Sequence, residues 1–175
     1  MNNRKAPINL GPGQTPREAA ADALYRLVHG LDFNDADLIR SAFVEDGVLD
    51  ISGLSPATGM DHPEQKGVEN IVNGVLGHVG PMATSHSITN VRVKLNDKMD
   101  RAEVMTYVIA QHFRPGEGHD VSNRDYALFG NSYWADVVKV GEGDDALWKI
   151  KRFECQNLWA EGDGSVSDVN TWKKA

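Results

Sequence analysis

The run Ile88-Thr89-Asn90-Val91-Arg92-Val93-Lys94-Leu95, then Asn96-Asp97-Lys98, then Ala102, Val104, Thr106, Val108 and Ala110 at every second position, decides the fold. Apolar residues recur there with a period of two, the repeat of a strand with one buried face. Asn96-Asp97-Lys98 supplies the turn between two antiparallel strands. A Gly- and Pro-containing loop spans 114–124. Two more strands are expected over roughly 125–140 and 146–159, joined by a glycine-rich hairpin at 141–145.

Upstream of residue 84 the period is helical. Thr15-Pro16-Arg17-Glu18 has the form of a capping box with proline at the first helical position. Ala20, Ala23, Leu24, Leu27 and Val28 then line one face of a helix that Gly30 is expected to end. A second short helix starts at Asn34 or Asp35 and buries Leu38, Ile39, Ala42 and Phe43. Residues 48–52 read as a strand, 53–66 as a loop without period, and 67–79 as a third helix with Val68, Ile71, Val72, Val75, Leu76 and Val79 on one side. Gly74 and Gly77 weaken that helix, so packing must hold it. The class is α+β. Three short helices cannot cover both faces of a sheet this long, so the sheet is expected to curl round them, leaving a pocket on its concave side.

The 175 residues fit one domain, taken as 15–162, after an arm at 1–14 that is expected to be flexible and before a tail at 163–175. Trp172 in that tail needs an apolar partner, either the body or a second subunit. A net charge of −7 with scattered Lys and Arg argues against nucleic acid or an anionic membrane as partner. The first residues lack the apolar core of a signal peptide and no long apolar stretch follows, so a cytoplasmic location is expected. The lone Cys155 fits a reducing compartment and is expected to be an inert, part-buried thiol. Neither zinc-type ligand spacing nor a glycine-rich phosphate loop occurs, so no metal and no cofactor are expected.

Four polar residues stand where apolar ones belong. His112 extends the even-numbered face of Ala102 to Ala110 and points either into the pocket or, as a strand end, into solvent. His86 shares parity with Ile88 and Asn90 rather than with Val91 and Val93, which leaves its direction open. Asn131 lies in an aromatic stretch with Phe129, Tyr133 and Trp134, where an amide must find partners. Asp32 follows the first helix, where a plain turn also explains an aspartate. Taken together, two imidazoles, a carboxylate and an amide can provide a base, an orienting partner and an oxyanion binder without a metal. His29 and His78 sit near helix C-termini and read as caps, while His62 and His119 read as exposed loop residues or part of a lid.

Leu31-Asp32-Phe33-Asn34-Asp35, Thr84-Ser85-His86-Ser87-Ile88-Thr89-Asn90 and Gly130-Asn131-Ser132-Tyr133-Trp134, in this layout, resemble the SnoaL-like group of the NTF2-like superfamily over 15–162. Within that group the pattern is most similar to scytalone dehydratase and related fungal polyketide-tailoring enzymes. The resemblance implies a cone-shaped barrel and a catalytic set of Asp32, His86, His112 and Asn131. It also implies a substrate-binding wall of Phe129, Tyr133, Trp134, Ile51 and Leu31, a hydrophobic aromatic substrate, and a homodimer. Two tyrosines that hold a water in the dehydratase are replaced here by Leu31 and Ile51, which cannot donate a hydrogen bond. The expected function is therefore a cofactor-independent isomerase or cyclase, with His112 as base and Asp32 as its orienting partner. A dehydratase and a non-catalytic binding or dimerisation module are the alternatives.

Overall fold

The computed structural model of the chain describes residues 5–172. Helix α1 (Pro16–Asp32) begins at the expected capping box. Thr15 Oγ1 accepts from the Glu18 backbone N–H at 3.3 Å, and Glu18 Oε2 accepts from the Thr15 N–H at 2.7 Å. It runs past Gly30, whose glycine serves packing rather than termination: a Cβ there would collide with Ile39 of α2 (Ala36–Ala42). Asp35 caps α2, accepting from the N–H groups of Asp37 and Leu38. Phe43, expected in that helix, instead opens strand β1 (Phe43–Gly53) and is buried.

The segment expected to be an irregular loop holds one helical turn, α3 (Ser55–Thr58), and a two-residue strand, β2 (Gln65–Lys66). Helix α4 (Val68–His78) follows and buries Ile71, Val72 and Val75. Four long strands complete the sheet: β3 (Ala83–Leu95), β4 (Arg101–Phe113), β5 (Tyr126–Val140) and β6 (Leu147–Gly162). Among the described residues the sheet has six strands in the order β2-β1-β6-β5-β4-β3. The β3 to β6 meander is antiparallel, whereas β1 pairs parallel with β6, so the sheet as a whole is mixed. A parallel pair needs a long crossover, and the whole chain between β1 and β6 supplies it.

Helices α1, α2 and α4 fill the concave face. Leu24, Leu27, Ile39, Phe43 and Ile71 pack there with Val104, Val108, Val137 and Ile150. Burying such side chains contributes roughly 1.5–3 kcal/mol each, which is what holds the glycine-containing α4 in place. Arg26 pins the helices to the sheet from within. Its Nε donates to Asp22 Oδ2 at 2.8 Å, while its two terminal nitrogens donate to the carbonyls of Ser41 and Trp148.

A bulge in β3 explains the ambiguous parity of His86. His86 pairs with Ala110 and Ile88 with Val108, but Arg92 pairs with Met105 and Val93 with Val104, so one extra residue lies between. Asn90, with φ of 54°, sits in that insertion. Upstream of it Thr84, His86 and Ile88 face inward, and downstream Val91, Val93 and Leu95 do. The C-terminal segment closes the far end: turns at Gly164–Ser167 and Val169–Thr171 bring Val166 against Met82, Ala127 and Phe129. Trp172 packs on this cluster, its Nε1 donating to the Val166 carbonyl at 2.9 Å, so its apolar partner is the body of the domain.

Candidate active site

A cavity of about 90 Å³ opens on the concave side. Its apolar wall includes Leu27, Leu31, Leu49, Ile51, Phe129 and Phe153, and four imidazoles join it: His62, His78, His86 and His112. Among the described residues, no Asp, Glu, Lys or Arg is in its lining.

Asp32, the last residue of α1, reaches β3 and holds His86 by both oxygens. Oδ1 is 2.6 Å from His86 Nδ1, and Oδ2 accepts from the His86 backbone N–H at 2.9 Å. A carboxylate can only accept, so the imidazole proton sits on Nδ1 and Nε2 is left with a free lone pair. The carboxylate was expected beside His112. It lies beside His86 instead, because the end of α1 packs against β3, and Asp32 sits behind the cavity wall rather than in its lining.

His112 takes the inward alternative, at the end of the buried even-numbered face of β4. Its Nδ1 is 2.8 Å from Thr84 Oγ1, and its ring stands edge-on to that of His86 with centroids 5.3 Å apart. Burial, reinforced by the neighbouring His86 and His78, pushes its pKa down to about 3, so it is neutral at any physiological pH. Asn131 is buried on β5, and its Oδ1 accepts from Asn157 Nδ2 at 2.9 Å. Its amide nitrogen is thereby left to donate, and Tyr133 is the acceptor. Burial and the nearby Cys155 push the Tyr133 phenol well above its ordinary pKa, so it keeps its proton.

His86, His112, Asn131, Phe129, Tyr133, Leu31 and Ile51 therefore converge on one cavity. Trp134 does not. It alternates with Tyr133 to the outer face of β5 and is half exposed. Gly130 is required on that outer face, because a Cβ would strike the indole of Trp159 lying over it. Cys155 is buried, burial pushes its thiol up to about 12, and it is unreactive in consequence. Among the described residues no three His, Cys, Asp or Glu side chains come together as a metal site.

One lining histidine was read otherwise from sequence. His78 was assigned to a helix cap, yet it continues Ile71 and Val75 on the apolar face of α4, a spacing that marks it as inward. His62, read as an exposed loop residue or part of a lid, takes the second place: its loop brings it onto the cavity. His29 and His119 are exposed.

With this geometry in hand, the family follows. Residues 15–154 match the SnoaL-like domain, and the chain belongs to that family, within the NTF2-like fold. It is 36% identical over 160 residues to terrestric acid biosynthesis cluster protein E of Penicillium crustosum, covering 91% of this chain and 94% of that protein. A protein assigned as a scytalone dehydratase, from Novosphingobium aromaticivorans, superposes with a TM-score of 0.63 at 22% identity over 82% of this chain and 84% of its own. A hexachlorocyclohexane dehydrochlorinase from Novosphingobium barchaimii gives 0.63 at 18% identity over 83% and 88%. The two structural likenesses establish the shared fold of helices packed on an open curved sheet. Among the described residues, no helix is long and apolar enough to cross a membrane.

Proposed function

We propose that this chain is a cofactor-independent acid/base enzyme, an isomerase or cyclase acting on an aromatic polyketide-type intermediate of secondary metabolism. The observation that carries the reading is the Asp32–His86 pair: a carboxylate gripping Nδ1 of an imidazole whose Nε2 remains free in an apolar cavity. Such a nitrogen is a general base held in one tautomer and one direction. The relative in a Penicillium biosynthesis cluster supports the metabolic setting.

In the proposed reaction His86 Nε2 removes a proton from a carbon next to a carbonyl. The C–H electron pair moves into the new C=C bond and the carbonyl π pair onto oxygen, giving an enolate. Neutral His112 then acts as a hydrogen-bond donor. With Thr84 donating to its Nδ1, its Nε2–H is directed at the enolate oxygen, a role for which an uncharged imidazole suffices. The Tyr133 hydroxyl, oriented by Asn131, is the second donor. The His86 imidazolium returns the proton at a conjugated carbon, or, in ring closure, the enolate carbon attacks a second carbonyl of the substrate, whose π pair moves onto oxygen and takes the proton from His86. His86, rather than His112, is thus assigned as the base, because only His86 combines an orienting carboxylate with freedom to take up charge.

The cavity also limits the substrate. On a measure in which one water occupies about 10–15 Å³, its volume suits a one- or two-ring reacting portion. The test is turnover of cluster-derived intermediates in D2O. Apart from any deuterium that the His86 imidazolium exchanges with solvent, the product should keep the substrate's mass, and His86→Ala should abolish turnover. A product lighter by one water would establish the dehydratase reading, which the dehydratase-like neighbour favours. Full turnover in His86→Ala, His112→Ala and Asp32→Ala would overturn the assignment of these residues, and no turnover of any such intermediate by the wild type would leave only a binding module.

We further propose a cytoplasmic homodimer joined through the outer face of the sheet. Tyr107, Ile109, Trp134 and Leu158 are exposed there and form an apolar patch, and the lone buried thiol suits a reducing compartment. Light scattering should give twice the chain mass, falling to one chain mass in Tyr107→Glu/Trp134→Arg.

A further inference from the structure

The proposed reaction uses His86, His112, Asn131 and Tyr133 and leaves a second polar group in the same cavity idle. Three separate segments build it: Thr58 on α3 with His62 just beyond, His78 in the last turn of α4, and Ser167 in the C-terminal turn. Thr58 Oγ1 donates to the Leu54 carbonyl at 3.1 Å and lies 2.9 Å from His62 Nε2. Its one proton is committed to the carbonyl, so His62 Nε2–H donates to Thr58 and Nδ1 is left unused. The His62 and His78 rings stand edge-on with centroids 6.1 Å apart.

Burial lowers the pKa of both imidazoles. Asp61 opposes this at His62, while at His78 the neighbouring His62 adds to it and Asp168 opposes it. His112, which faces His78 from β4, is neutral. Asp168 is already occupied, accepting from Asn170 N and Nδ2 at 2.9 and 2.8 Å, and Asp61 is exposed. The subsite thus holds two neutral imidazoles and a buried hydroxyl, with no fixed charge in the cavity lining among the described residues.

An apolar cavity of this kind rejects a ligand that brings net charge and no proton. A carboxylic acid avoids that penalty. Whether the proton stays on the acid or passes to an imidazole, acid plus imidazole remains neutral overall, and the ion pair gains charge-assisted hydrogen bonds. We propose that His62, His78 and Ser167 form an anchoring subsite for a carboxylic acid group on the substrate, setting its orientation toward His86. This rests on the reading of the cavity as a substrate pocket and adds the substrate class: an aromatic or conjugated acid.

Benzoate and its uncharged analogue benzamide are suitable probes, titrated into the full chain at neutral pH by calorimetry in buffers of differing ionisation enthalpy. Benzoate should bind at least about tenfold more tightly than benzamide and take up a proton on binding. His62→Gln and His78→Gln should each erase the preference, and His86→Ala should keep it. Folding of each variant is checked by its melting curve, and His62→Gln alone, in a loop, suffices if His78→Gln does not fold. Equal affinity for the two probes, no saturable benzoate binding, or a preference that survives His62→Gln would overturn the subsite. A preference lost only in His86→Ala would overturn it too, by placing the anion at the base. No arm depends on turnover, so failure here and failure of the acid/base assignment are read separately.

Discussion

Replacing Asp32 by asparagine tests the site most sharply, because the two bonds of its carboxylate impose different demands. Both His86 N–H groups donate to it, the backbone one at 2.9 Å and Nδ1 at 2.6 Å. An asparagine offers one acceptor oxygen. The backbone N–H cannot move or change its protonation, so it keeps that oxygen, and the new NH2 is turned toward His86 Nδ1. Two donors cannot face each other, and the imidazole must move its proton to Nε2. The base lone pair then points at residue 32 rather than at substrate. A carboxylate-to-amide change that fixes the wrong tautomer lowers kcat by about 10⁴ in a well-studied hydrolase triad. A loss of about 10³–10⁴ is expected here, or about 4–5.5 kcal/mol of activation free energy. Stability should suffer far less. A charge-assisted bond becomes a neutral one at a cost of about 1–2 kcal/mol, or about 2–8 °C in Tm. Long-range ¹H–¹⁵N correlation spectra of histidine-labelled protein read the tautomer without any substrate. Wild type should show a protonated Nδ1 at His86 and the variant a protonated Nε2. The same tautomer in both proteins, or a kcat within tenfold of wild type in a folded variant, would refute the reasoning.

Acid should destabilise the fold through His112. Its folded-state pKa of about 3 lies below the ordinary 6.5, so the unfolded chain binds the extra proton in between; stability is full above about 6.5 and falls toward 3. The slope approaches about 1.4 kcal/mol per pH unit, and His112→Asn should flatten the fall of Tm with pH over that window; an unchanged slope would contradict it. Cys155 should resist thiol reagents in the native state and react only at the rate of unfolding, since burial pushes it up to about 12; rapid labelling of folded protein would contradict this. Arg26→Ala strands the Asp22 carboxylate and the carbonyls of Ser41 and Trp148 inside the core. Thermal unfolding should place the loss at about 3–5 kcal/mol, and a loss below about 1 kcal/mol would contradict the buried pairing.

Much of this architecture was legible in the sequence because it is written in period. The capping box at Thr15, the apolar face of α1 and the even-numbered face of β4 each follow from local repeats, and the last carried His112 inward with it. Illegibility began where one residue breaks a period. The insertion at Asn90 flips the parity of β3, so the inward direction of His86 could not be read by extending Val91 and Val93 backward. Trp134 is the opposite case: strict alternation with Tyr133 argued that only one of the two could face the cavity, and including both overrode the pleat. Which histidine receives Asp32 is a tertiary matter, set by where the end of α1 meets β3, and no spacing encodes it.

The bulge has a consequence beyond parity, because it divides the sheet by chemistry. On the helix-packed side of Asn90 the inward residues are Val91, Val93 and Leu95, opposite Val104 and Ala102. Beyond it they are Thr84, His86 and Ile88, opposite His112, Ala110 and Val108, with Asn131 paired to Val108 on the next strand. A second insertion, at Leu158 of β6 beside Gly130 and Asn131, falls at the same level of the sheet. Bulges raise local twist, and these two lie where the inward face of the sheet turns polar and lines the cavity. Its polar groups are then unevenly placed. β3, β4 and β5 supply donors and the base, while α1 and β1 offer Leu31 and Ile51. A hydroxyl leaving toward Leu31 and Ile51 would find no hydrogen-bond partner on those two side chains. Proton transfer within a bound substrate makes no such demand. It needs one oriented base and donors for one enolate oxygen, which is what the polar half of the sheet provides, and on that ground the proposed isomerisation or ring closure asks less of the site than loss of water would.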